Sequence, residues 1–138
     1  MMSSNRPTPA AIERRLLQAV VALACIVPLT AGTLGVVRGV AFIKGAPALP
    51  DLDSHFRYLS GIFLTLGLAF ASCIPAIERT GPRFRLLGAM VIAGGLARLL
   101  SWIIIGPPGP GHRFGLAMEL GVVPLLMLWQ ARVERKSR

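Results

Sequence analysis

The sequence has few of the residues from which metal sites, nucleophilic centres and disulfide frameworks are built: two histidines, two cysteines and six acidic residues in 138. His55 and His112 show no metal-ligand spacing, so no metal site is predicted. No Ser/His/Asp or Cys/His nucleophile set is evident, so no catalytic residue is assigned and no cofactor is expected. Cys25 and Cys73 lie in two long apolar segments. If both segments cross a membrane, the two cysteines lie at depths that differ by roughly 7 Å, which is too far for a relaxed disulfide.

Long stretches of the chain lack charge. Apolar residues make up 54% of the sequence, and the charged residues cluster between long apolar runs instead of being spread along every segment. A run of about 20 apolar residues matches the hydrocarbon thickness of a bilayer. Four such runs are present, at residues 16–37, 56–77, 86–105 and 114–129. The sequence therefore predicts an all-α integral membrane protein with four spans and not a soluble domain.

The chain is strongly basic, with a formal net charge of +9, but the placement of the charges indicates topology and not nucleic-acid binding. The first, third and fifth segments outside the spans hold ten Lys and Arg, whereas the opposite side holds four. The positive-inside rule therefore predicts that both termini are cytoplasmic. Basic residues on that side also favour contact with anionic membrane lipid. No nucleic-acid partner is expected, since no basic patch stands apart from the spans.

Short turns between the apolar runs predict how the helices are connected. ERTGPRFR joins the second and third spans and GPPGPGHR joins the third and fourth, and such turns make antiparallel neighbours. The predicted fold is an up-down-up-down four-helix bundle that forms a single transmembrane domain over residues 13–133. Residues 1–12 are predicted to be a disordered cytoplasmic tail, and residues 134–138 a basic cytoplasmic tail.

Two full charges, Arg98 and Glu119, lie inside predicted spans. Each costs about 2.5–3.5 kcal/mol at a span centre on insertion scales, so neither is expected to face lipid. Arg98 precedes the outer end of the third span by roughly 10 Å, and Glu119 follows the outer end of the fourth span by roughly 7 Å. The two side chains thus fall at nearly the same depth on adjacent helices. This placement predicts an ion pair in the outer half of the bundle.

Arg57 lies at the start of the second span, slightly above the depth of that pair. Its guanidinium can extend inward to Glu119 or outward to Asp53, and both alternatives remain open. Ser60 shares the helix face of Arg57 because the two are three residues apart. Together these residues predict a polar pocket open to the outer face, with the Arg98–Glu119 pair as its floor.

Three more residues near the outer end complete the candidate ligand pocket: His55, Tyr58 and Ser101. Two interpretations of the whole set are open. Intramembrane ionisable residues mark a ligand, ion or proton site by default. Charge pairs in membranes can equally lock helix packing, and measured side-chain couplings there average only about 0.6 kcal/mol. The set is therefore a candidate binding site, and it is equally a candidate for contacts that only stabilise helix packing.

Three stretches together carry a family resemblance: DSHFRYLSGIFLTLGLAF, GGLARLLS and MELGVVPLLMLWQARV. They combine H-x-R-Y-x-S-G at the second span, an Arg in the third span and E-x-x-x-x-P in the fourth. The positions concerned are His55, Arg57, Tyr58, Ser60, Gly61, Arg98, Glu119 and Pro124. In this combination, over about residues 13–132, the chain resembles the bacterial membrane proteins of domain of unknown function family 4345. The resemblance implies four helices and a multi-pass location in the bacterial inner (plasma) membrane, and it brings no established activity.

Two functional hypotheses follow from these observations; a third, a small transporter, is disfavoured because the four short spans show neither broken half-helices nor a second half. The first is a small non-enzymatic membrane protein, either an accessory subunit or a small-ligand binder, whose partners are membrane lipid and a membrane protein or small apolar ligand. The alternative rests on a weaker likeness in size and topology to DoxX-like four-helix proteins. That likeness implies a redox-linked membrane subunit that handles a quinone or a similar apolar substrate. The sequence leaves open whether the protein is an enzyme.

Overall fold

The computed structural model describes residues 7–138, and over that range the chain contains only helices and the turns that connect them. In chain order these are α1 (Pro9–Arg38), a 3-10 turn (Gly39–Phe42), α2 (Pro50–Ala71), a second 3-10 turn (Ile74–Ala76), α3 (Gly81–Ile105), α4 (Pro110–Ala117), a π-helical turn (Met118–Val122) and α5 (Val123–Ser137). The all-α prediction is confirmed over the described residues.

Four helical segments are long and apolar enough to cross a membrane: Pro9–Phe42, Pro50–Ala76, Gly81–Ile105 and Pro110–Ser137. The shortest has 25 residues. At 1.5 Å per residue it exceeds the roughly 30 Å thickness of the hydrocarbon core of a bilayer. At most 22% of the most apolar 18-residue window of any segment is buried inside the protein. The apolar side chains therefore cover surface that the chain itself does not bury, as expected of membrane spans.

The four helical segments begin before the apolar runs from which they were predicted, but α2 ends at Ala71, ahead of the end predicted at residue 77. α1 begins at Pro9, ahead of the domain start predicted at residue 13, and α5 continues to Ser137 through the segment predicted as a basic tail. The first six residues of the predicted N-terminal tail lie outside the described range. Glu, Arg and Lys are good helix formers, so the charged residues that flank an apolar run continue its helix. An apolar run therefore marks only part of a helix.

Proline and glycine set several helix ends. Pro50, Pro82 and Pro110 lie in the first turns of α2, α3 and α4, where a missing N–H costs nothing because those N–H groups have no partner within the helix. α3 ends at Gly106, whose φ of +116° is a conformation that side-chain-bearing residues rarely adopt. The turn GPPGPGHR thus terminates one long helix and starts the next.

The chain divides into two compact units, of which the first comprises Pro75–Arg138 together with α1 up to Gln18. Within it, α3 packs against α5, the π-helical turn and α4. Gly88 of α3 lies so close to Met127 of α5 that a Cβ at this position would collide with the methionine side chain. The most buried apolar residues of this unit are Leu17, Ile77, Phe84, Leu126 and Val133.

The second unit comprises Ala19–Ile74, which is the rest of α1, the first 3-10 turn and α2. A Cβ added at Gly32 would lie 2.8 Å from the backbone of Leu64, so α1 and α2 are in direct backbone contact there. Small residues permit this close approach. Close packing of this kind is what drives helices to associate in lipid, where the hydrophobic effect does not favour helix–helix contact. Cys25 and Cys73 are both buried, and no disulfide joins them. The single domain predicted for residues 13–133 stays a prediction.

Candidate functional site

An ion pair joins the two charges that lie within the apolar segments of α3 and the π-helical turn. The Arg98 guanidinium donates through Nε to Glu119 Oε2 at 3.0 Å and through Nη2 to Glu119 Oε1 at 3.0 Å. Two parallel bonds between a planar guanidinium and a carboxylate form the strongest and most directional kind of ion pair in proteins. The pair expected from the depths of these residues is therefore present.

The two members of this pair differ in exposure. The Glu119 side chain is 10% exposed, whereas the Arg98 side chain is 32% exposed. The carboxylate is thus covered by protein, and part of the guanidinium lies at the surface of the unit. Because the bidentate bond uses Nε and Nη2, the Nη1 group is left outside it. Glu119 therefore fixes the Arg98 guanidinium in place, and the N–H groups of Nη1 do not take part in that bond.

Two glycines make room for the pair. A Cβ added at Gly95 on α3 would lie 2.8 Å from the Leu120 side chain and 2.9 Å from the Cβ of Glu119. A Cβ at Gly115 on α4 would lie 3.8 Å from the central carbon of the Arg98 guanidinium. Gly95 lets α3 approach the turn that carries the glutamate, and Gly115 presents a flat surface beside the guanidinium. Sequence analysis did not assign either glycine to the site.

The glutamate projects from an irregular part of its helix. Met118–Val122 forms a π-helical turn, and Pro124 lies in the first turn of α5 immediately after it. A proline inside a continuous helix removes an N–H donor and crowds the carbonyl four residues earlier, which here belongs to Leu120. A wider π turn relieves that conflict, and such turns occur frequently at functional sites. The Glu-x-x-x-x-Pro spacing thus has a structural consequence: it determines the backbone from which Glu119 projects.

Arg57, the third candidate charge, makes a different set of contacts within the second unit. Its Nε donates to Asp53 Oδ2 at 2.7 Å, and its Nη1 donates to the carbonyls of Val36 at 2.5 Å and Val37 at 3.1 Å. Asp53 Oδ1 in turn accepts from the backbone N–H of Val40 at 2.7 Å. Of the two alternatives left open by the sequence, the outward contact with Asp53 is present.

The Arg57–Asp53 arrangement caps the end of α1. The last carbonyls of a helix have no partner within it, and a cation there also interacts favourably with the helix dipole. The chain turns sharply at Gly39, which has a φ of +58°, and a Cβ at this position would collide with the side chains of Asp53 and Arg57. The contacts of Arg57 within its unit are thus those of a structural clamp. The part of the predicted pocket that would include Arg57 stays a prediction.

The other predicted pocket residues have less specific surroundings. Ser60 is 8% exposed and lies on Gly35 of α1, where a Cβ would collide with its hydroxyl. His55 and Tyr58 on α2 and Ser101 on α3 are exposed. Within residues 7–138, no three His, Cys, Asp or Glu residues form a group that could hold a metal ion.

Three carboxylates in the basic segments form a cluster of ion pairs that sequence analysis missed. Glu13 pairs with Arg132 and Lys136, Glu78 with Arg14 and Arg79, and Glu134 with Arg85 and Arg138. The glutamate side chains are 10–19% exposed and their partners 40–83% exposed. The carboxylates therefore lie beneath a layer of cations. We call these nine residues the end cluster; it connects the first turns of α1 to the C-terminal part of α5.

Gln130 is a second polar residue that sequence analysis missed. It is fully buried, and its Nε2 donates to the backbone carbonyl of Ile77 at 2.9 Å. Ile77 is itself fully buried and immediately precedes Glu78 of the end cluster. A buried amide that bonds a backbone carbonyl holds α5 against the segment that leads into α3.

Comparisons with known proteins identify a family without adding an activity. The family model described as "Domain of unknown function (DUF4345)" matches residues 16–130, which include all four apolar runs and both members of the Arg98–Glu119 pair. No curated protein and no solved structure gives a significant match. Since the family model covers most of the chain, the protein belongs to the domain of unknown function family DUF4345.

Proposed function

We propose that the chain is a multi-pass protein of the bacterial inner membrane, folded as an up-down-up-down four-helix bundle with both termini in the cytoplasm. Four helical segments long enough to span support this proposal. The ten Lys and Arg that flank the spans on one side support the orientation, since basic residues stay on the cytoplasmic side. A reporter that is active only in the periplasm, fused after Arg138, should be silent. Activity of that fusion would overturn the orientation.

Within that setting, we propose that the Arg98–Glu119 pair binds the polar head of a small apolar molecule that arrives from the lipid. The observation that carries this proposal is the asymmetry of the pair: a covered carboxylate holds a guanidinium that is one-third exposed. A pair whose only role was to lock packing would gain most from covering both partners, because an uncovered donor in lipid finds no water. A fixed, partly exposed donor among apolar side chains is what an apolar ligand with one polar group requires.

The chemistry of the site favours a neutral hydrogen-bond acceptor over an anion. Glu119 already compensates the charge of Arg98, so a carboxylate or phosphate ligand would bring a second negative charge to the same cation. A carbonyl oxygen needs only an N–H donor, and Nη1 lies outside the bidentate bond. Hydrogen bonds with a charged partner are roughly twice as strong as neutral ones. The proposed ligand class is therefore an apolar molecule with a carbonyl head, such as a quinone.

A retention experiment tests this function. The full chain, extracted from native membranes in lipid nanodiscs, is exposed to a short-tailed quinone and to a fatty acid of similar length, and bound molecules are measured by mass spectrometry. We expect the wild-type chain to retain the quinone, and Arg98→Gln to weaken retention about tenfold, as loss of one charge-assisted hydrogen bond implies. Arg113→Gln, which changes an exposed arginine on α4, should have no effect and serves as the matched control.

Each other outcome of that experiment has a definite meaning. Equal quinone retention by the wild type and Arg98→Gln would overturn the proposed site. Preferential retention of the fatty acid would overturn the neutral-acceptor class. Reduction of the retained quinone would favour the redox-linked alternative suggested by the DoxX-like topology. Recovery of a stoichiometric membrane protein and no quinone would favour an accessory subunit over a ligand binder.

A further inference from the structure

We infer that the protein holds one internal water molecule at the end of the first unit, between Gln130, Glu78 and Arg14. Three buried side-chain atoms there have no hydrogen-bond partner among the described residues: Gln130 Oε1, Glu78 Oε2 and Arg14 Nε. Buried polar atoms in native proteins are satisfied almost without exception, either by protein or by ordered water. Three such atoms from three separated segments of the chain therefore call for a shared partner.

The contacts of these residues connect all three side chains to the Ile77–Glu78 segment. Arg14 Nη1 donates to Glu78 Oε1 at 3.3 Å, so the two charged groups face each other. Gln130 Nε2 donates to the carbonyl of Ile77 at 2.9 Å, which brings the amide to the residue directly before Glu78. Gln130 and Ile77 have no exposed surface. The amide oxygen is therefore enclosed by protein and held at the residue that precedes Glu78.

The donor and acceptor pattern identifies the occupant as water. Gln130 Oε1 and Glu78 Oε2 only accept, and Arg14 Nε only donates. Water supplies two O–H donors for the two acceptors and a lone pair for the one donor. An anion has no donors for the two oxygens, and a metal or ammonium ion has no lone pair for the arginine. Buried waters typically make about three hydrogen bonds, which is the number of partners this site offers.

Such a water would connect three parts of the first unit. Arg14 belongs to α1, Glu78 to the segment before α3, and Gln130 to α5. A bridging water contributes nearly as much enthalpy as a direct hydrogen bond, at a modest entropic cost of immobilisation. The end cluster would then be held together by ion pairs at its surface and by hydration beneath them. This inference concerns the end of the unit remote from Arg98 and does not depend on the proposed ligand.

Magnetisation transfer from water to the Gln130 side-chain amide tests the inference. The isotope-labelled full chain in nanodiscs should show a cross peak from water to the Nε2 protons, although this amide is fully buried. Arg14→Lys, which removes the Nε donor and keeps a positive charge, should reduce the peak at least twofold. Arg79→Lys is the matched control: it changes another partner of Glu78 that contributes none of the three atoms.

Three results would overturn the site. The first is the absence of a water cross peak in the wild-type chain, a measurement that depends on no variant. The second is an unchanged peak in Arg14→Lys, because the third partner of the water would then be unnecessary. The third is an equal loss in both variants, since a general loosening of the end cluster would then explain the change without a specific water.

Discussion

The Arg98–Glu119 pair and the Arg57–Asp53 pair have the same chemistry and different surroundings. Arg98 reaches from α3 to a glutamate on another helical segment, and both of its bonds go to that carboxylate. Arg57 pairs with an aspartate one turn away on α2 and also donates to the last carbonyls of α1. The first arginine gives both of its bonds to one carboxylate, whereas the second divides its bonds between a carboxylate and the last carbonyls of a helix. The acceptors that an arginine reaches therefore separate a candidate binding residue from a clamp.

The largest effect should come from Glu119→Ala, which leaves the Arg98 guanidinium without its counter-ion among apolar side chains. Breaking a buried ion pair costs about 3–5 kcal/mol, and partial exposure of Arg98 moves the expected loss to the lower end of that range. Thermal unfolding in mild detergent measures the change. Arg98→Leu combined with Glu119→Leu should lose less stability than the sum of the single variants. Strict additivity would mean that the two groups do not interact.

Arg57→Ala should have a smaller effect on stability and none on quinone retention. Hydrogen bonds to charged groups contribute about 1.5–3 kcal/mol when buried, and the Arg57 side chain is 43% exposed, so we expect a loss of about 1–2 kcal/mol. Unfolding and retention are measured on the same preparation. Arg38→Ala, an exposed arginine at the end of α1, is the control. A loss of retention equal to that of Arg98→Gln would show that Arg57 belongs to the binding site, as the sequence predicted.

Two neighbouring glycines on α3 test the surroundings of the Arg98–Glu119 pair with smaller expected losses of stability. Gly95→Ala places a methyl group 2.8 Å from the Leu120 side chain, whereas Gly94→Ala meets nothing within 4 Å. Overpacking costs about 1–3 kcal/mol, and alanine favours a helix interior over glycine by about 1 kcal/mol. Gly95→Ala should therefore unfold at a lower temperature than Gly94→Ala and retain less quinone. Equal melting temperatures would show that α3 and the π-helical turn adjust freely.

The main features of the fold could be predicted because apolar runs of spanning length are simple to recognise in a sequence. Residues 16–37, 86–105 and 114–129 each lie within one of the long helical segments, and residues 56–77 extend one residue beyond the segment that ends at Ala76. Depth along two antiparallel spans was enough to pair Arg98 with Glu119. Helix ends were less predictable, because charged residues outside the apolar runs continue the helices.

The predictions were weaker where a contact depends on the path of the backbone. Arg57 was expected at the start of the second span, but α2 begins at Pro50, and the carbonyls that Arg57 caps come from residues 20 and 21 positions earlier. Gln130 follows the apolar run directly in WQAR, and only its contact with the Ile77 carbonyl distinguishes it from a surface amide. A polar residue inside an otherwise apolar helix stretch was the available signal. Its partner could not be inferred, because backbone acceptors leave no pattern in a sequence.

The smallest effects should come from His55 and Tyr58, the exposed members of the predicted pocket. Tyr58 is 65% exposed, so Tyr58→Phe and His55→Gln should each change stability by less than about 0.5 kcal/mol, as for most surface substitutions. Ser60→Val is the positive control on the same helix, because the buried hydroxyl already lies against Gly35 and a larger side chain would push the helices apart. Melting temperature and quinone retention are measured for all three. If Tyr58→Phe reduced retention as much as Arg98→Gln, α2 would contribute to the ligand site, and the contrast between a binding arginine and a clamp would no longer hold.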